Sequence, residues 1–312
     1  MTEPTRQGSK PTMTNAMVKG MPVPEALLGD LTDSAALLSN PPALRARLAE
    51  DGYLFLRGVI NQAAIHTARA EILARLEAVG EIVPGTDGTF TGTSRRGELE
   101  PDLGAFWQSV SEGPAFRAVS HGPAVAAVMA AVADGEVRPQ DYIFLRVGVP
   151  GRATGLHFDA PFFTRMHDQV WTVWLPLGDV AIPQGPLVVV EGSHRFDDLI
   201  DPIRGFDVIR DTTRKADIGA DAIAVATARK TRLLTADFRA GDLILFGMHT
   251  LHGSLDHHAE DLPVRVSCDL RWQSAAMPQD PRYFGPNPGG TTGAGYAELN
   301  GAKPLDQAWH IR

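Results

Sequence analysis

Residues 241–272 read GDLILFGMHTLHGSLDHHAEDLPVRVSCDLRW and carry the clearest strand signal in the chain. An apolar run follows a turn at Gly241, and residues 264–272 then alternate between apolar and polar side chains. Successive side chains of a strand point to opposite faces of a sheet. The alternation therefore predicts a strand with an apolar face, Val264, Val266, Cys268, Leu270 and Trp272, and a polar face, Arg265, Ser267, Asp269 and Arg271.

Further β-type runs lie upstream of this strand: YIFLRVGV at 142–149, VWTVWLPL at 170–177 and PLVVVEG at 186–192. Gly, Pro and Asp separate the runs, and no regular alternation of strands with helices marks a parallel sheet. The pattern favours an antiparallel arrangement. We expect a mainly β fold with flanking helices around a double-stranded β-helix, that is, a jelly-roll or cupin-like core.

The rest of the chain is organised around this core. Residues 1–25 are rich in Pro, Gly, Ser and Thr and lack apolar periodicity, which predicts a flexible N-terminal arm. Residues 26–312 are predicted to form a single domain. Its parts are a helical region at about 41–138, a core at about 140–272 with an insertion at about 197–235, and a Pro/Gly-rich C-terminal extension at 273–312.

Helix signals are confined to the first half of the chain. One helix begins at Pro41 and is stopped by Gly52, and Asn61 caps a second. Residues 114–134 are rich in Ala and Val and indicate a third helix. The polar stretch 86–98 predicts a long loop.

Composition excludes several classes of protein. With 44% hydrophobic and 21% charged residues, the chain has enough apolar surface to fold and is not a disordered polymer. The 29 Lys and Arg against 37 Asp and Glu give a net charge of −8, so we expect neither nucleic acid nor an anionic membrane as a partner. Cys268 is the one cysteine, which excludes an intrachain disulfide and a thiolate zinc cluster. Since the chain has neither a signal-peptide pattern nor about 20 consecutive apolar residues, we expect it in the cytoplasm.

His157 and Asp159 lie in GLHFDAPFF, just after a predicted strand. Residues two apart in an extended segment face the same side, so the imidazole and the carboxylate point together. They provide two of the three ligands of a two-His, one-carboxylate Fe(II) site, which leaves other positions on the metal open. The alternative is an exposed turn in which the aspartate is simply hydrogen-bonded.

The third ligand is expected from HTLHGS. His249 and His252 are the two candidates in this segment. His257 and His258 lie in the acidic segment LDHHAED and are expected to be exposed loop residues. His194 is expected to be a structural histidine in a turn.

Arg265 and Ser267 lie two residues apart on the polar strand face. A guanidinium binds both oxygens of a carboxylate, and a nearby hydroxyl adds another donor. The pair therefore predicts a binding site for a carboxylate, such as that of a cosubstrate.

Several motifs occur in order between about residue 43 and residue 272: EDGYLFLRGVI, GLHFDAPFF, VWTVWLPLGDV, QGPLVVVEGSH, GDLILF with LHGS, and RVS. In this series the chain resembles the phytanoyl-CoA dioxygenase family of Fe(II)/2-oxoglutarate oxygenases. The resemblance implies that His157, Asp159 and His252 bind iron and that Arg265 binds the distal carboxylate of 2-oxoglutarate. It also implies that the cosubstrate pocket is lined by Ser254, Trp174 and Thr172, and that Arg146 occupies a position that is often basic in the family.

The implied activity is that of a dioxygenase which uses Fe(II), 2-oxoglutarate and O2 to hydroxylate a small molecule, releasing succinate and CO2. Related halogenases have a small residue in place of the carboxylate ligand, so Asp159 favours hydroxylation. Desaturation, epoxidation and ring closure remain open to the same chemistry. The family name does not imply a phytanoyl-CoA substrate.

Candidate substrate-binding residues surround the expected open face of the iron. They are Phe162 and Phe163 after the HxD pair, Asp269 and Arg271 on the polar strand, and Arg95 and Arg96 on the loop 86–98. Alternatively, Arg95 and Arg96 form a solvated basic pair, and Asp269 and Arg271 pair with each other. Arg282, Tyr283 and Trp309 are expected either to cover the site or to pack outside the barrel.

Two other functions fit parts of the pattern. A cosubstrate-independent, cupin-like isomerase, lyase or oxygenase would keep His157, Asp159 and His252 without needing Arg265. A non-catalytic binding barrel would need none of these ligands.

Overall fold

The computed structural model of the protein describes residues 15–216 and 218–307. The strands are β1 Met17–Val18, β2 Met21–Pro22, β3 Leu28–Asp30, β4 Tyr53–Leu56, β5 Val137–Pro139, β6 Phe144–Gly148, β7 Val170–Pro176, β8 Leu187–Val190, β9 Leu233–Thr235, β10 Leu243–Gly247, β11 His252–Ser254 and β12 Arg265–Ser274. The helices are α1 Pro41–Asp51, α2 Gln62–Ala78, α3 Arg96–Leu99, α4 Leu103–Ser111, α5 Pro114–Ser120, α6 Pro123–Ala133, α7 Ala160–Phe163, α8 Asp197–Ile200 and α9 Ala222–Arg229.

Two sheets form the core. The larger has the order β4-β10-β7-β12-β5, with β6 also paired to β12, and the smaller has the order β11-β8-β9-β3. Pairing is antiparallel except between β3 and β9. The expected jelly-roll core with flanking helices is confirmed.

Apolar side chains fill three layers around these sheets. Between the sheets, Phe55, Trp174 and Phe246 of the larger sheet pack with Val189 and Leu234 of the smaller one. The outer face of the larger sheet packs against the helical region, and α9 covers the smaller sheet. As the alternation predicted, Val264, Val266, Cys268, Leu270 and Trp272 all belong to the cluster under the helices, so the polar face of β12 is turned toward the other sheet.

Local sequence signals explain where the first helices begin and end. Asn40 accepts a hydrogen bond from the backbone N–H of Ala43 at the start of α1, and Asn61 does the same for Ala64 at the start of α2. Gly52 ends α1 with φ +79°, a left-handed conformation that costs glycine little. The expected starts of both helices are therefore correct.

The expected single helix at 114–134 is instead the pair α5 and α6. The break falls at Gly122-Pro123, where proline lacks an N–H donor and disfavours helix in the preceding residue. Pro114–Ala133 is long and apolar enough to cross a membrane by length and composition alone. Its side chains Phe116, Val125 and Met129 are buried in the main core, which accounts for their apolar character.

Three other segments differ from expectation. Residues 15–25 of the expected arm include the hairpin β1–β2, and Ala16, Val18 and Val23 are buried beside the smaller sheet; residues 1–14 lie outside the described residues. The expected insertion at 197–235 ends in β9, a full member of the smaller sheet. The three residues of β9, two leucines and a threonine after a basic run, give too short a pattern to recognise as a strand. The loop 86–98 ends in α3 rather than continuing.

Candidate active site

The backbone brings the two predicted histidine ligands together. The N–H of His157 donates to the carbonyl of His252 over 2.9 Å, and the N–H of His252 donates back over 3.1 Å. This bridge joins the segment after β6 to the start of β11 and places the ring centroids 4.3 Å apart. Phe158 is buried in the cluster beside the smaller sheet, so the chain turns Asp159 back toward the two imidazoles.

The three side chains form a group that could hold a metal ion. Nε2 of His157 lies 3.7 Å from Oδ1 of Asp159, and Nε2 of His252 lies 3.9 Å from Oδ2. The potential ligand atoms all lie within 4.8 Å of one another. Since metal–ligand bonds to N and O are about 2.1 Å, small side-chain adjustments bring all three onto one ion.

The hydrogen bonds of the histidines leave the correct nitrogens free. Nδ1 of His157 is 2.9 Å from the carbonyl of Gly155, and Nδ1 of His252 is 2.9 Å from the carbonyl of Thr250. A carbonyl only accepts, so each Nδ1 carries the proton and each Nε2 keeps a lone pair for a metal. Burial, together with the neighbouring His157, lowers the pKa of His252 to about 4, which keeps this ligand neutral at pH 7.

Asp159 is held as an oriented carboxylate. Arg271 donates from Nη2 to Oδ2 over 2.8 Å, and the hydroxyl of Thr172 donates to the same oxygen. Burial acts to raise the pKa of Asp159, but Arg271, the two imidazoles and Thr172 hold it below its usual value. Thr172 was expected in the cosubstrate pocket, and the structure instead makes it a partner of this carboxylate.

A small cavity beside the triad has three of the five predicted cosubstrate residues in its lining, whereas Ser267 and Thr172 do not line it. Its walls include His157, His252, Trp174, Ser254, Arg265 and Asp269. The Ser254 hydroxyl accepts from the backbone N–H of Thr154, which leaves its own proton free to be donated. The structure therefore brings the predicted residues Trp174, Ser254 and Arg265 to one place.

Buried donors at this end of the site have no acceptor. Arg265 donates from Nη1 to the carbonyl of Gly185, but its Nε and the hydroxyl of Ser267 have no hydrogen-bond partner within the described part of the chain. Burial lowers the pKa of Arg265 to about 10, so it stays cationic at neutral pH. A carboxylate in the cavity would satisfy Arg265, which lines it, so this arginine fits the predicted cosubstrate, whereas Ser267 is not among the lining residues.

Asp269 and Arg146 form an ion pair beside the same cavity, with Nε of Arg146 donating to Oδ2 of Asp269. Asp269 was expected either among the substrate residues or paired with Arg271. Neither expectation holds, because Arg271 is engaged by Asp159, and Asp269 pairs with Arg146, its diagonal neighbour across the β6–β12 pairing.

A larger cavity of about 440 Å³ adjoins the small one and shares Arg146, Thr154 and His157 with it. His157 and Asp159 contribute to its floor, and the predicted residues Phe162, Phe163 and Arg271 line it. Its remaining walls come from Phe144, Arg146, Thr154 and Gly155 and from a C-terminal segment, residues 291–303, through Thr291, Thr292, Ala294, Ala297, Glu298, Leu299, Asn300 and Lys303.

Arg95 and Arg96 do not line this cavity, contrary to the substrate-binding hypothesis. Arg95 is exposed and pairs with Glu98 over 3.0 Å, as the alternative of a solvated residue expected. Arg96 is fully buried, pairs with Glu81 over 2.8 Å and donates to the carbonyls of Gly301 and Lys303 over 2.5 and 2.7 Å. It thereby fixes the C-terminal segment over the site.

Arg282 and Tyr283 act through the backbone of α7. Both donate to the carbonyl of Phe162, over 3.0 and 2.9 Å, and Arg282 also pairs with Asp280. They hold the cavity wall in place rather than covering the site. Trp309 lies outside the described residues.

The histidines that were weighed as alternatives lie outside the metal-binding group. The metal-binding group found among the described residues contains His252 and not His249. His194 contacts Arg195 in the turn after β8, as a structural residue would. His257, expected to be exposed, is only 1% exposed and lies near Arg265. Its acidic neighbours in the sequence gave no signal of this burial.

A jelly roll with two imidazoles and one carboxylate at its mouth is the arrangement of non-haem iron oxygenases. The family described as Phytanoyl-CoA dioxygenase (PhyH) matches residues 48–265. The chain belongs to this family, as its motifs indicated.

Curated relatives are hydroxylases. The chain is 26% identical over 270 residues to 1-deoxypentalenic acid 11-beta-hydroxylase of Streptomyces arenae, covering 79% of this chain and 86% of that protein. It is 25% identical over 270 residues to the same enzyme of Streptomyces exfoliatus, covering 80% and 87%.

Solved structures share the fold. The epimerase SnoN in complex with Fe3+, alpha ketoglutarate and nogalamycin RO aligns with a TM-score of 0.52 at 21% identity, covering 86% of this chain and 93% of SnoN. EctD from S. alaskensis aligns with a TM-score of 0.50 at 16% identity, covering 88% of each chain.

Proposed function

We propose that this protein is an Fe(II)- and 2-oxoglutarate-dependent dioxygenase that hydroxylates a small organic molecule with release of succinate and CO2. The observation that carries the proposal is the position of the His157–Asp159–His252 group, whose side chains line two adjoining cavities. One is lined by buried Arg265, whose Nε has no acceptor among the described residues, and the other has room for a substrate.

His157, His252 and Asp159 would hold the iron. Bound Fe(II) and 2-oxoglutarate supply the power to activate O2 and hydroxylate a C–H bond. The chain keeps both Nε2 atoms deprotonated through the Nδ1 hydrogen bonds. Because Arg271 and Thr172 both donate to Oδ2 of Asp159, Oδ1 is the oxygen left for the metal.

Arg265, Ser267 and Ser254 bind and orient the cosubstrate, with Trp174 as the apolar wall. Arg265 provides the charge that pairs with the distal carboxylate, and the serines provide further donors. The net charge of −8 supports a small molecule rather than a nucleic acid as the partner. The buried thiol of Cys268, free of any disulfide, supports the cytoplasm as the compartment.

The test is an anaerobic titration of metal-free protein with Fe(II) and then with 2-oxoglutarate, following the visible metal-to-ligand charge-transfer band of a chelated keto acid. We expect a saturable band that R265A weakens strongly at the same cosubstrate concentration. R95A is the matched control, because Arg95 is exposed and lines neither cavity. Bound iron without a band would instead favour the cosubstrate-independent cupin-like enzyme.

A further inference from the structure

We propose that the substrate is an organic acid with a compact apolar body, and that Arg271 binds its acidic group. This inference rests on the proposed function and names the substrate class of the same site. Arg271 lines the larger cavity beside Asp159 and is therefore a specificity-determining residue of the reaction.

Arg271 has hydrogen-bonding capacity that the protein does not use. The residue is 3% exposed, and Nη2 is engaged by Asp159. Its Nε and Nη1 have no acceptor anywhere in residues 15–216 and 218–307. Buried donors are nearly always paired, and a buried guanidinium with unused N–H groups is costly, so an acceptor that arrives with the ligand explains their presence.

The surroundings of Arg271 favour an anion over a neutral acceptor. The rings of Phe144 and Phe163 lie with their centroids 5.0 and 4.2 Å from its Cζ. These rings fix the guanidinium and exclude water from it. In such a low-dielectric setting a charge-assisted hydrogen bond is much stronger than a neutral one.

The other charges of the cavity are already engaged or lie at its rim. Glu298 accepts from the Tyr142 hydroxyl over 2.9 Å and from the backbone N–H groups of Thr291 and Thr292. Arg146 is paired with Asp269, and Lys303 is exposed. Asp159 serves as the metal ligand, so Arg271 is the buried cation of the cavity with donors to spare.

The rest of the lining describes the body of the substrate. Its apolar walls are Phe144, Phe162, Phe163, Ala294, Ala297 and Leu299. A volume of about 440 Å³ lies within the usual range of small-molecule sites. Because one guanidinium contacts both the iron carboxylate and the acid, the oxidised carbon lies only a few bonds from the acidic group.

The experiment measures binding of matched acid and amide probes by calorimetry. The pairs are 1-adamantanecarboxylate with 1-adamantanecarboxamide, decanoate with decanamide, and 1-naphthylacetate with its amide. Each is titrated into anaerobic protein with Fe(II) and 2-oxoglutarate, and into metal-free protein, so that a variant that loses metal still gives a readout. The variants are R271Q, R271K and, as the matched control, R95Q.

We expect at least one acid to bind native protein and R95Q at least tenfold more tightly than its amide, which corresponds to about 1.4 kcal/mol. The preference should persist in R271K and fall below threefold in R271Q. Equal binding of acid and amide, or no binding by any pair, would overturn the proposal, as would a preference that survives in R271Q. The charge-transfer band of native protein is measured in parallel, so failure of the proposed function is seen separately.

Discussion

The buried ion pair of Arg96 and Glu81 should control how firmly the C-terminal segment is fixed over the active site. Both side chains are fully buried, and Arg96 also donates to the carbonyls of Gly301 and Lys303. The substitution R96M keeps much of the side-chain volume but leaves Glu81 buried without its cation. Breaking such a pair costs about 3–5 kcal/mol.

The stability that R96M loses should appear as a fall in Tm of about 6–10 °C, because Tm changes by about 2 °C per kcal/mol in a chain of this size. R95M is the matched control, because its exposed pair with Glu98 should contribute less than about 1 kcal/mol. The double variant R96M/E81M should recover most of the loss, since a buried pair is replaceable by apolar side chains. In R96M, limited proteolysis should cut first within residues 291–303.

The pH dependence of R96M gives a second measurement. Burial already raises the pKa of Glu81 above its model-peptide value of 4.5 despite Arg96, and without the cation the pKa rises further. A raised carboxyl pKa means that the folded state binds a proton more tightly than the unfolded state, so stability falls as pH rises above 4.5. The difference in free energy of unfolding between the native protein and R96M should therefore be smaller at pH 5 than at pH 8. An R96M protein as stable as R95M at both pH values would refute the reasoning.

Three further predictions concern the site and its histidines. H252A should abolish Fe(II) binding while H249A leaves it nearly unchanged, as measured by the charge-transfer band; a band retained in H252A would contradict the ligand assignment. L299W should fill the larger cavity and abolish probe binding with the band unaltered, whereas loss of the band would show that the two cavities are not separate. Burial lowers the pKa values of His121, His252 and His257 to about 4, so metal-free protein should lose up to about 1.4 kcal/mol per histidine for each pH unit as pH falls from 6.5 toward 4. In urea titrations across this pH range, the free energy of unfolding of H257L should fall less per pH unit than that of the native protein. An equal fall per pH unit would count against a neutral buried His257.

Local periodicity predicted the parts of this protein that depend on neighbouring residues. The alternation in β12 separates Arg265 and Arg271 from the apolar core in the sequence as it does in the structure. His157 and Asp159 also lie together beside His252, although the segment between β6 and α7 that carries them is not a strand. Strand geometry repeats every two residues, and a single sequence displays that repeat directly.

The positions that the sequence did not predict, those of Arg96 and His257, depend on contacts between residues far apart along the chain. Arg96 was expected near a substrate because it lies in a polar loop, but its partners Gly301 and Lys303 are about 200 positions away along the chain. His257 resembles a surface residue by its acidic neighbours and is buried near Arg265. No pattern within a short window records such contacts.

The family match covers the metal-binding residues but only part of the larger cavity, so membership in the family indicates the chemistry more readily than the substrate. The family match ends at residue 265, and it includes the His157–Asp159–His252 group and the arginine of the cosubstrate cavity. Arg271 and the C-terminal segment, which form much of the larger cavity, lie beyond that match. Irregular, Pro/Gly-rich backbone can line a cavity as well as a strand can, provided that buried side chains such as Arg96 fix it. The residues that select the substrate are therefore best sought in this tail and at the end of β12.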